Sequence, residues 1–378
     1  MRPSPAVVPS LMLAALLPAP CHPQGFTAPA TRWTTPFSRI GAAAELPDGR
    51  LVVVDNRDGV IHLAPAQGGE AAPLGREGDG PNEYRRPFGV VRGQGDTLLV
   101  YASMRLLRVA PNGNLAGSLP FSPRDLGTVA PPRAVDRLGR IYWDRPVIRV
   151  PGSNTIKRQQ RYEIVRFTPG QDAVEVVATA SDHAPERHEQ RFHPFAERDA
   201  WVLDPDGTVV LVRARDYSLQ WVRDGAVQRS APSVSHVPVP IRAEDREAFR
   251  RDRAANPSGA SMGGGPPRLD GTVTPETMAR MREAYPDADF PATKPPFVEN
   301  GVFRSPGGQL WVVRSPERPV LVGDRVDVLD AAGRRIRELA LPAGRRLLAL
   351  DRRGIYLVAE DDDGLQYLER YAYPQGLR

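Results

Sequence analysis

Hydrophobic and polar positions along the chain form one block that occurs six times. Each block has a short apolar strand, a turn containing glycine, a second apolar strand ending in a polar residue, and a third strand of alternating character. The second strands are predicted at Leu51–Asp55, Thr97–Tyr101, Ile141–Asp144, Thr208–Arg213, Leu310–Arg314 and Ile355–Ala359. Because glycine accepts the positive φ of a tight hairpin, each block is predicted to be an antiparallel meander.

The glycines of these turns recur at a nearly regular interval. At positions 49, 95, 139, 207, 308 and 354 their successive separations are 46, 44, 68, 101 and 46 residues. Three separations are close to the period of a propeller blade, and the two long ones must contain insertions. The pattern predicts an all-β fold, a six-bladed β-propeller. The alternative is an open sandwich of meanders.

The two ends of the chain complement each other. The sixth block has no room for a fourth strand before Arg378, which would leave an open sheet edge. The segment Thr31–Ile40 precedes the first block and can supply that strand. We therefore expect closure by an N-terminal strand, with Thr31–Ile40 beside Tyr367–Tyr373, in a propeller that spans residues 31–378.

The largest insertion, Val239–Pro296, is predicted to contain two helices. Arg242–Ala254 has two acidic residues in its first turn, and Thr274-Pro275 begins a second helix that runs to about Tyr285. Such an insertion is either a flap over the channel or a passive packing element.

Counting strand reversals places the longer connections on one face of the ring. Gly75–Pro87, His183–Arg198 and the helical insertion each lead from an outer strand to the next inner strand. The Arg145–Arg161 excursion is predicted to be a loop between a second and a third strand, on the same face. Functional loops often concentrate on one face of a rigid scaffold.

The charge pattern narrows the range of partners. The formal net charge is +5, and acidic residues are interleaved with the arginines, so no continuous basic stripe is present. Nucleic-acid binding is therefore disfavoured. Arginine supplies nearly all the cations, since lysine occurs only at Lys157 and Lys294. We expect a monomer whose partner is a small molecule or an extracytoplasmic protein or peptide.

Residues 1–25 resemble a secretory signal peptide. Arg2 precedes the apolar stretch Ala6–Leu17, and small, turn-forming residues follow. Export to the periplasm or the medium is therefore expected, with no transmembrane segment. Cys21 is the only cysteine, so the chain cannot form an internal disulfide. Lipid attachment at Cys21 is the less favoured alternative to ordinary cleavage.

The segment Gly75–Val90, with the sequence GREGDGPNEYRRPFGV, resembles the G-x-G-x-G-P-G-E-F…P passage of a family of exported bacterial six-bladed propellers related to NHL-repeat proteins. Asn82 and Tyr84 stand where that family has glycine and phenylalanine. The resemblance implies the propeller fold and export, and it implies no reaction. Within the segment, Tyr84 and Phe88 are expected to fill the wedge between two blades.

Candidate ligand-binding residues follow from the connections on the shared face. Clefts lined by one sign of charge concentrate ligands of the opposite sign. The candidates are Arg76, Glu83, Tyr84, Arg85, Arg86, Asp144, Arg145, Arg187, His188 and Arg213. They favour a binding module without a cofactor, for an anionic or polyhydroxylated small molecule or a peptide at the channel mouth.

A metal-dependent lactonase or esterase is the alternative function. Enzymes of that class with six blades place Glu, Asn and Asp around a central Ca²⁺, and Asp55, Asn56 and Asp144 are the matching candidates here. Arg213 and Arg314 at comparable positions would oppose a divalent ion. No motif nominates a nucleophile, so the sequence favours binding over catalysis.

Overall fold

The computed structural model describes residues 26, 28–102, 105–119, 131–149, 157–171, 173–183, 195–255, 273–318 and 324–377. Six antiparallel sheets, here blades 1 to 6, follow one another along the chain. The first strand of every blade contacts the first strands of both neighbouring blades, which closes a ring with the first strands innermost. The predicted six-bladed β-propeller is confirmed.

The first three blades lie in chain order. Blade 1 consists of Ile40–Glu45, Leu51–Asp55, Val60–Ala64 and Ala72–Pro73. Blade 2 consists of Pro87–Arg92, Leu98–Ala102, Arg105–Val109 and Leu115–Leu119. Blade 3 consists of Ala134–Val135, Ile141–Arg149, Lys157–Phe167 and Val174–His183, with the short strand Glu197–Arg198 added at its edge.

The other three blades complete the ring. Blade 4 consists of Ala200–Leu203, Val209–Val212, Leu219–Arg223 and Ala226–Ala231. Blade 5 consists of Phe297–Arg304, Leu310–Arg314, Arg325–Leu329 and Arg335–Ala340. Blade 6 consists of Arg345–Asp351, Gly354–Glu360, Gln366–Tyr371 and Thr31–Arg32. Outside the blades, Arg76–Glu77 and Glu83–Tyr84 form a short parallel pair, and Gln94–Asp96 and Asp287–Asp289 are single 3₁₀ turns.

Closure of the ring by the N-terminal strand is confirmed. Thr31 and Arg32 pair with Arg370 and Glu369 on the third strand of blade 6. An isolated bridge between Phe37 and Gln366 extends the contact. Blade 6 is thus built from both ends of the chain, and its fourth strand is shorter than the sequence suggests.

Five of the six turn glycines have the expected conformation, as at Gly49 with φ 93°. The sixth hairpin differs, because Gly354 is the first residue of the second strand and the turn consists of Arg352 and Arg353. Gly354 is required for another reason. A Cβ atom at this position would overlap the carbonyl oxygen of Tyr371 on the neighbouring strand.

The hydrophobic core is divided into six clusters, one between each pair of adjacent blades. Burial of these apolar faces is the main driving force for assembly of the ring. Tyr84 is buried between blades 1 and 2, as expected. The expectation for Phe88 is wrong, because its side chain is 42% exposed and lies outside the wedge.

Blade 3 departs from the predicted loop at Arg145–Arg161. Its second and third strands continue as a β-ladder, in which Arg145 pairs with Glu163 and Arg149 pairs with Lys157. The hairpin therefore extends beyond the sheet as paired strands. The register shift between Pro146 and Ile148 accommodates the proline, which cannot donate a ladder hydrogen bond.

The helical insertion is confirmed in the connection from blade 4 to blade 5. Its helices are Ala243–Ala255 and Pro275–Ala284, the latter capped by Thr274, whose Oγ1 accepts a hydrogen bond from Thr277 N at 3.2 Å. Neither helix is long and apolar enough to cross a membrane, within the described ranges.

Buried contacts fix this insertion to the propeller. Lys294 Nζ lies 2.8 Å from the Asp245 carboxylate, and both side chains are buried. The same ammonium donates to Pro316 O at 2.7 Å, in the loop between the second and third strands of blade 5. Phe249 in the first helix also contacts Phe195, in the connection from blade 3 to blade 4. The insertion therefore lies on the predicted face and is held there as a packed element.

Candidate functional site at the channel mouth

The channel mouth is defined here as the end of the ring where the first strands begin and the second strands end. All connections from an outer strand to the next inner strand reach this end, because consecutive strands are antiparallel. Side chains from different blades therefore meet near the axis at this end.

Asp144 is the centre of a charged cluster in the mouth. This residue lies in the second strand of blade 3, and its side chain is 14% exposed. Its Oδ1 accepts a hydrogen bond from Trp201 Nε1. Its Oδ2 lies 3.1 Å from Arg133 Nη1 and 3.5 Å from Arg198 Nη2. The carboxylate thus joins residues from blades 3 and 4.

Arg198 extends the cluster to blade 5. Its Nη1 donates to Glu299 Oε1 at 3.0 Å. Glu299 lies in an irregular stretch of the first strand of blade 5, where the register shifts between Phe297 and Val302 and Asn300 has φ 59°. Asparagine tolerates this left-handed conformation better than most residues. The bulge exposes Glu299 at the mouth, where 47% of its side chain is accessible.

Two buried aromatic rings support the arginines. The Arg133 guanidinium lies 5.2 Å from the centre of the Trp201 ring, and that of Arg198 lies 4.6 Å from the centre of the Tyr162 ring. Cation–π contacts of this kind restrict a guanidinium as well as stabilise it. Burial, and then the Asp144 carboxylate, raise the pKa of Tyr162, so its hydroxyl stays protonated. It donates to the backbone oxygen of Asp199 at 2.6 Å.

Arg133, Asp144, Arg198 and Glu299 together form the mouth cluster. It contains two cations and two carboxylates, so it is close to electrically neutral. About a quarter of the Arg133 and Arg198 side chains is exposed, at 26% and 25%. The cluster therefore presents both hydrogen-bond donors and acceptors to the channel.

Arg213 and Arg145 lie at the mouth beside this cluster, each beside a carboxylate. Arg213 Nη1 donates to Asp199 Oδ2 at 2.7 Å, and its other nitrogens donate to Gln220 Oε1. Arg145 Nη2 donates to Glu163 Oε2 at 2.6 Å across the blade 3 hairpin. Both side chains hold local structure in place.

The candidates in the Gly75–Val90 passage stabilise that passage itself. The Glu83 carboxylate accepts from Gly80 N at 2.9 Å and from Arg76 Nε at 2.7 Å. These two hydrogen bonds, the Gly80 bond first, lower the pKa of Glu83. Tyr84 is buried, and its hydroxyl accepts from Ile61 N at 3.0 Å. This part of the passage is therefore a self-contained turn.

The two remaining arginines of the passage are exposed. Arg85 pairs with Asp79 at 2.9 Å, and Arg86 adopts φ 44°. Arg187 and His188 lie outside the described residues. The structure thus places Asp144, Arg145 and Arg213 at the mouth on blades 3 and 4, each with its own partners, and places the other described ligand candidates between blades 1 and 2.

Two of the residues considered for calcium, Asp55 and Asp144, have other partners in the structure. Asp55 is buried, and its carboxylate accepts hydrogen bonds from the backbone nitrogens of Ser38, Arg39, Arg57 and Asp58, at 2.7 to 3.1 Å. Asp144, two blades away, is contacted by two guanidiniums. Within the described ranges, no group of three His, Cys, Asp or Glu side chains has the arrangement of a metal site.

Sequence reasoning missed the arginines and the glutamate at the beginning of the inner strands. Asp144 was predicted because it lies at the end of a second strand. Arg133 and Arg198 lie just before the first strands of blades 3 and 4, and Glu299 lies near the start of the first strand of blade 5. Because both kinds of strand end meet at the mouth, the same topological argument identifies these residues.

Neither a protein-family model nor a curated protein matches the chain. Solved structures are similar over most of its length. A gluconolactonase from Xanthomonas campestris is 13% identical over 93% of this chain and 95% of that one, with a TM-score of 0.45. Regucalcin, a calcium-binding protein from Agrobacterium tumefaciens, is 15% identical over 93% and 97%, with a TM-score of 0.39. Virginiamycin B lyase from Staphylococcus aureus is 10% identical over 93% and 88%, with a TM-score of 0.38. At these identities the likeness concerns the fold.

Proposed function

We propose that this chain is a ligand-binding propeller whose channel mouth takes a polyhydroxylated small molecule. The observation that carries the proposal is the mouth cluster, in which Arg133, Asp144, Arg198 and Glu299 alternate in charge across three blades. A sugar hydroxyl both donates and accepts hydrogen bonds. Such a ligand is complementary to neighbouring guanidinium and carboxylate groups.

The rigidity of the cluster favours binding. The two guanidiniums are held over Trp201 and Tyr162, and Asp144 is fixed by the Trp201 indole. Groups that are already ordered lose little conformational freedom when a ligand arrives. The carboxylates also oppose a purely anionic ligand at this part of the mouth, so the cluster favours hydroxyl groups over a bare anion.

The proposed place of action is outside the cytoplasm. The argument rests on the composition of residues 1–25, including the apolar stretch Ala6–Leu17. Mass spectrometry of the mature protein tests it. Loss of the segment without a lipid on Cys21 is the expected result, and an intact N-terminus in a cytoplasmic fraction would contradict export.

Calorimetric titration with neutral sugars and polyols, including D-glucose, tests the binding function. Replacing Arg198→Gln should weaken binding of the best ligand by at least about tenfold, which corresponds to ~1.4 kcal/mol. Arg304→Gln is the matched control, because Arg304 is 24% exposed and paired with Asp204 at the opposite end of the ring. This control should bind like the unchanged protein.

Two results would contradict the proposal. One is the absence of binding by every neutral polyhydroxylated probe. The other is hydrolysis of lactones or esters that is lost on chelation and restored by calcium, because that would establish the metal-dependent hydrolase instead.

A further inference from the structure

A second polar region of the mouth lies where blade 6 meets blade 1. Arg346 is in the first strand of blade 6, opposite Val358. Its Nη2 donates to Ile40 O at 3.0 Å, at the start of the first strand of blade 1. Its Nε is buried and has no hydrogen-bond partner among the described residues. A buried N–H without an acceptor is costly, so this nitrogen needs an explanation.

One other guanidinium and one carboxylate lie near Arg346. Burial, and then the neighbouring Arg39 guanidinium, lower the pKa of Arg346 to about 10. The facing carboxylate is Glu360, which accepts a hydrogen bond from Gln366 Nε2 at 3.0 Å. Asp55 accepts a hydrogen bond from the Arg39 backbone nitrogen, as it does from other backbone donors. Near Arg346, therefore, a second guanidinium is present and the one carboxylate already accepts a hydrogen bond.

An acceptor without a partner lies on the same stretch of blade 1. Asn56 Oδ1 is buried and unpaired within the described ranges. The Asn56 amide lies against Gly41, where a Cβ atom would overlap it. Gly41 directly follows Ile40, whose oxygen holds Arg346. The junction thus contains a buried donor and a buried acceptor, both without a partner among the described residues and both beside the Ile40–Gly41 dipeptide.

We propose that Arg346 binds the carboxylate of the ligand and that the natural ligand is a polyhydroxylated acid. This inference rests on the proposed function and specifies its ligand class. The Nε–H and a terminal N–H of one guanidinium form a planar fork that matches a carboxylate. In the proposed complex a hydroxyl of the ligand donates to Asn56 Oδ1, and the other hydroxyls extend toward the mouth cluster on blades 3 to 5.

Thermal unfolding with acetate as the probe tests the carboxylate subsite. Sodium acetate replaces sodium chloride at constant ionic strength. A saturable rise in Tm is expected for the unchanged protein, because a ligand that binds only the folded state stabilises it. Arg346→Gln should abolish the rise. Arg346→Lys should reduce it, since lysine keeps the charge and lacks the fork. Arg352→Gln, in the adjacent turn at the opposite end of the ring, should retain it.

Titration with D-glucuronate and D-glucose separates this inference from the proposed function. Arg346→Gln should weaken glucuronate binding by at least about tenfold more than it weakens glucose binding. Acetate stabilisation that persists in Arg346→Gln, or that is absent from the unchanged protein, would overturn the inference while leaving the polyol site intact. Acetate stabilisation without binding of any neutral polyol would overturn the proposed function and retain the carboxylate subsite.

Discussion

Asp55 stabilises the closure of the propeller, and its replacement should lower the stability of the whole ring. Its carboxylate accepts hydrogen bonds from Ser38 N at 2.7 Å and Arg39 N at 3.1 Å, in the segment that leads from the closing strand into blade 1. It also accepts from Arg57 N at 3.0 Å and Asp58 N at 3.1 Å. The backbone of Ser38 and Arg39 and that of Arg57 and Asp58 therefore donate to the same carboxylate.

The expected loss in the free energy of unfolding follows from how exposed the four hydrogen-bond donors are. Arg57 and Asp58 are exposed, so water replaces the carboxylate there at little cost. Ser38 and Arg39 are half-buried, and hydrogen bonds to a charged group contribute about 1.5–3 kcal/mol each. Asp55→Ala should thus lower the free energy of unfolding by about 3–6 kcal/mol. Asp55→Asn keeps one acceptor oxygen and should lose roughly half as much.

Urea unfolding in calcium and in chelator measures this loss and distinguishes a structural role from metal binding. The hydrogen bonds predict the same loss in both buffers. Asp48→Asn is the control, because Asp48 is an exposed acid at the other end of the same blade and should change stability by about 0–1 kcal/mol. A loss for Asp55→Ala below about 1 kcal/mol, or one that disappears in chelator, would refute the reasoning.

Two further changes test the packing and the electrostatics of the ring. Gly41→Ala should destabilise the protein by about 1–3 kcal/mol in the same unfolding assay, because the added methyl group displaces the Asn56 amide. Gly89→Ala is the control and should be tolerated, because Gly89 lies at the equivalent bulge of blade 2 with open space around it. Burial would raise the pKa of Glu369, but hydrogen bonds, first from Arg345, lower it below the ordinary value of 4.5. The ionised form therefore stabilises the fold above pH 4.5, and the stability advantage over Glu369→Gln should shrink as the pH falls through the lowered pKa. A difference that stays constant between pH 7 and pH 3 would contradict this linkage.

The six-bladed ring and its closure by an N-terminal strand could both be predicted from the sequence. Turn glycines such as Gly49 and Gly207 adopt positive φ where the repeats place them, and the missing last strand pointed to Thr31–Ile40. These features are local or depend only on counting strands. The blade 3 hairpin was not predictable in this way, because Pro146 interrupts its second strand and the facing run Lys157–Arg161 is wholly polar. A run that contains only polar residues shows no alternation of apolar and polar positions.

The mouth cluster depends on contacts between residues that are distant in sequence. Asp144 was identified as a polar residue after an apolar strand. Its partners Arg133, Arg198 and Trp201 come from other strands, and the ion pair between Arg198 and Glu299 joins two blades. Pairing of this kind follows from the ring geometry, so it emerges only when the first strands are known to be innermost.

Pairing with carboxylates also reduces the attraction of the many arginines for an anionic ligand. When an exposed arginine lies beside a carboxylate, the electrostatic fields of the two charges largely cancel at a distance. Such pairs stabilise a protein by only about 0–1 kcal/mol. Arg76 and Arg85 are both in such pairs. The number of arginines near the mouth therefore overstates its attraction for anions. Arg346 differs because its Nε is buried without an acceptor among the described residues. The affinity for the carboxylate of an acidic ligand should accordingly respond to Arg346→Gln far more than to the replacement of Arg76 or Arg85.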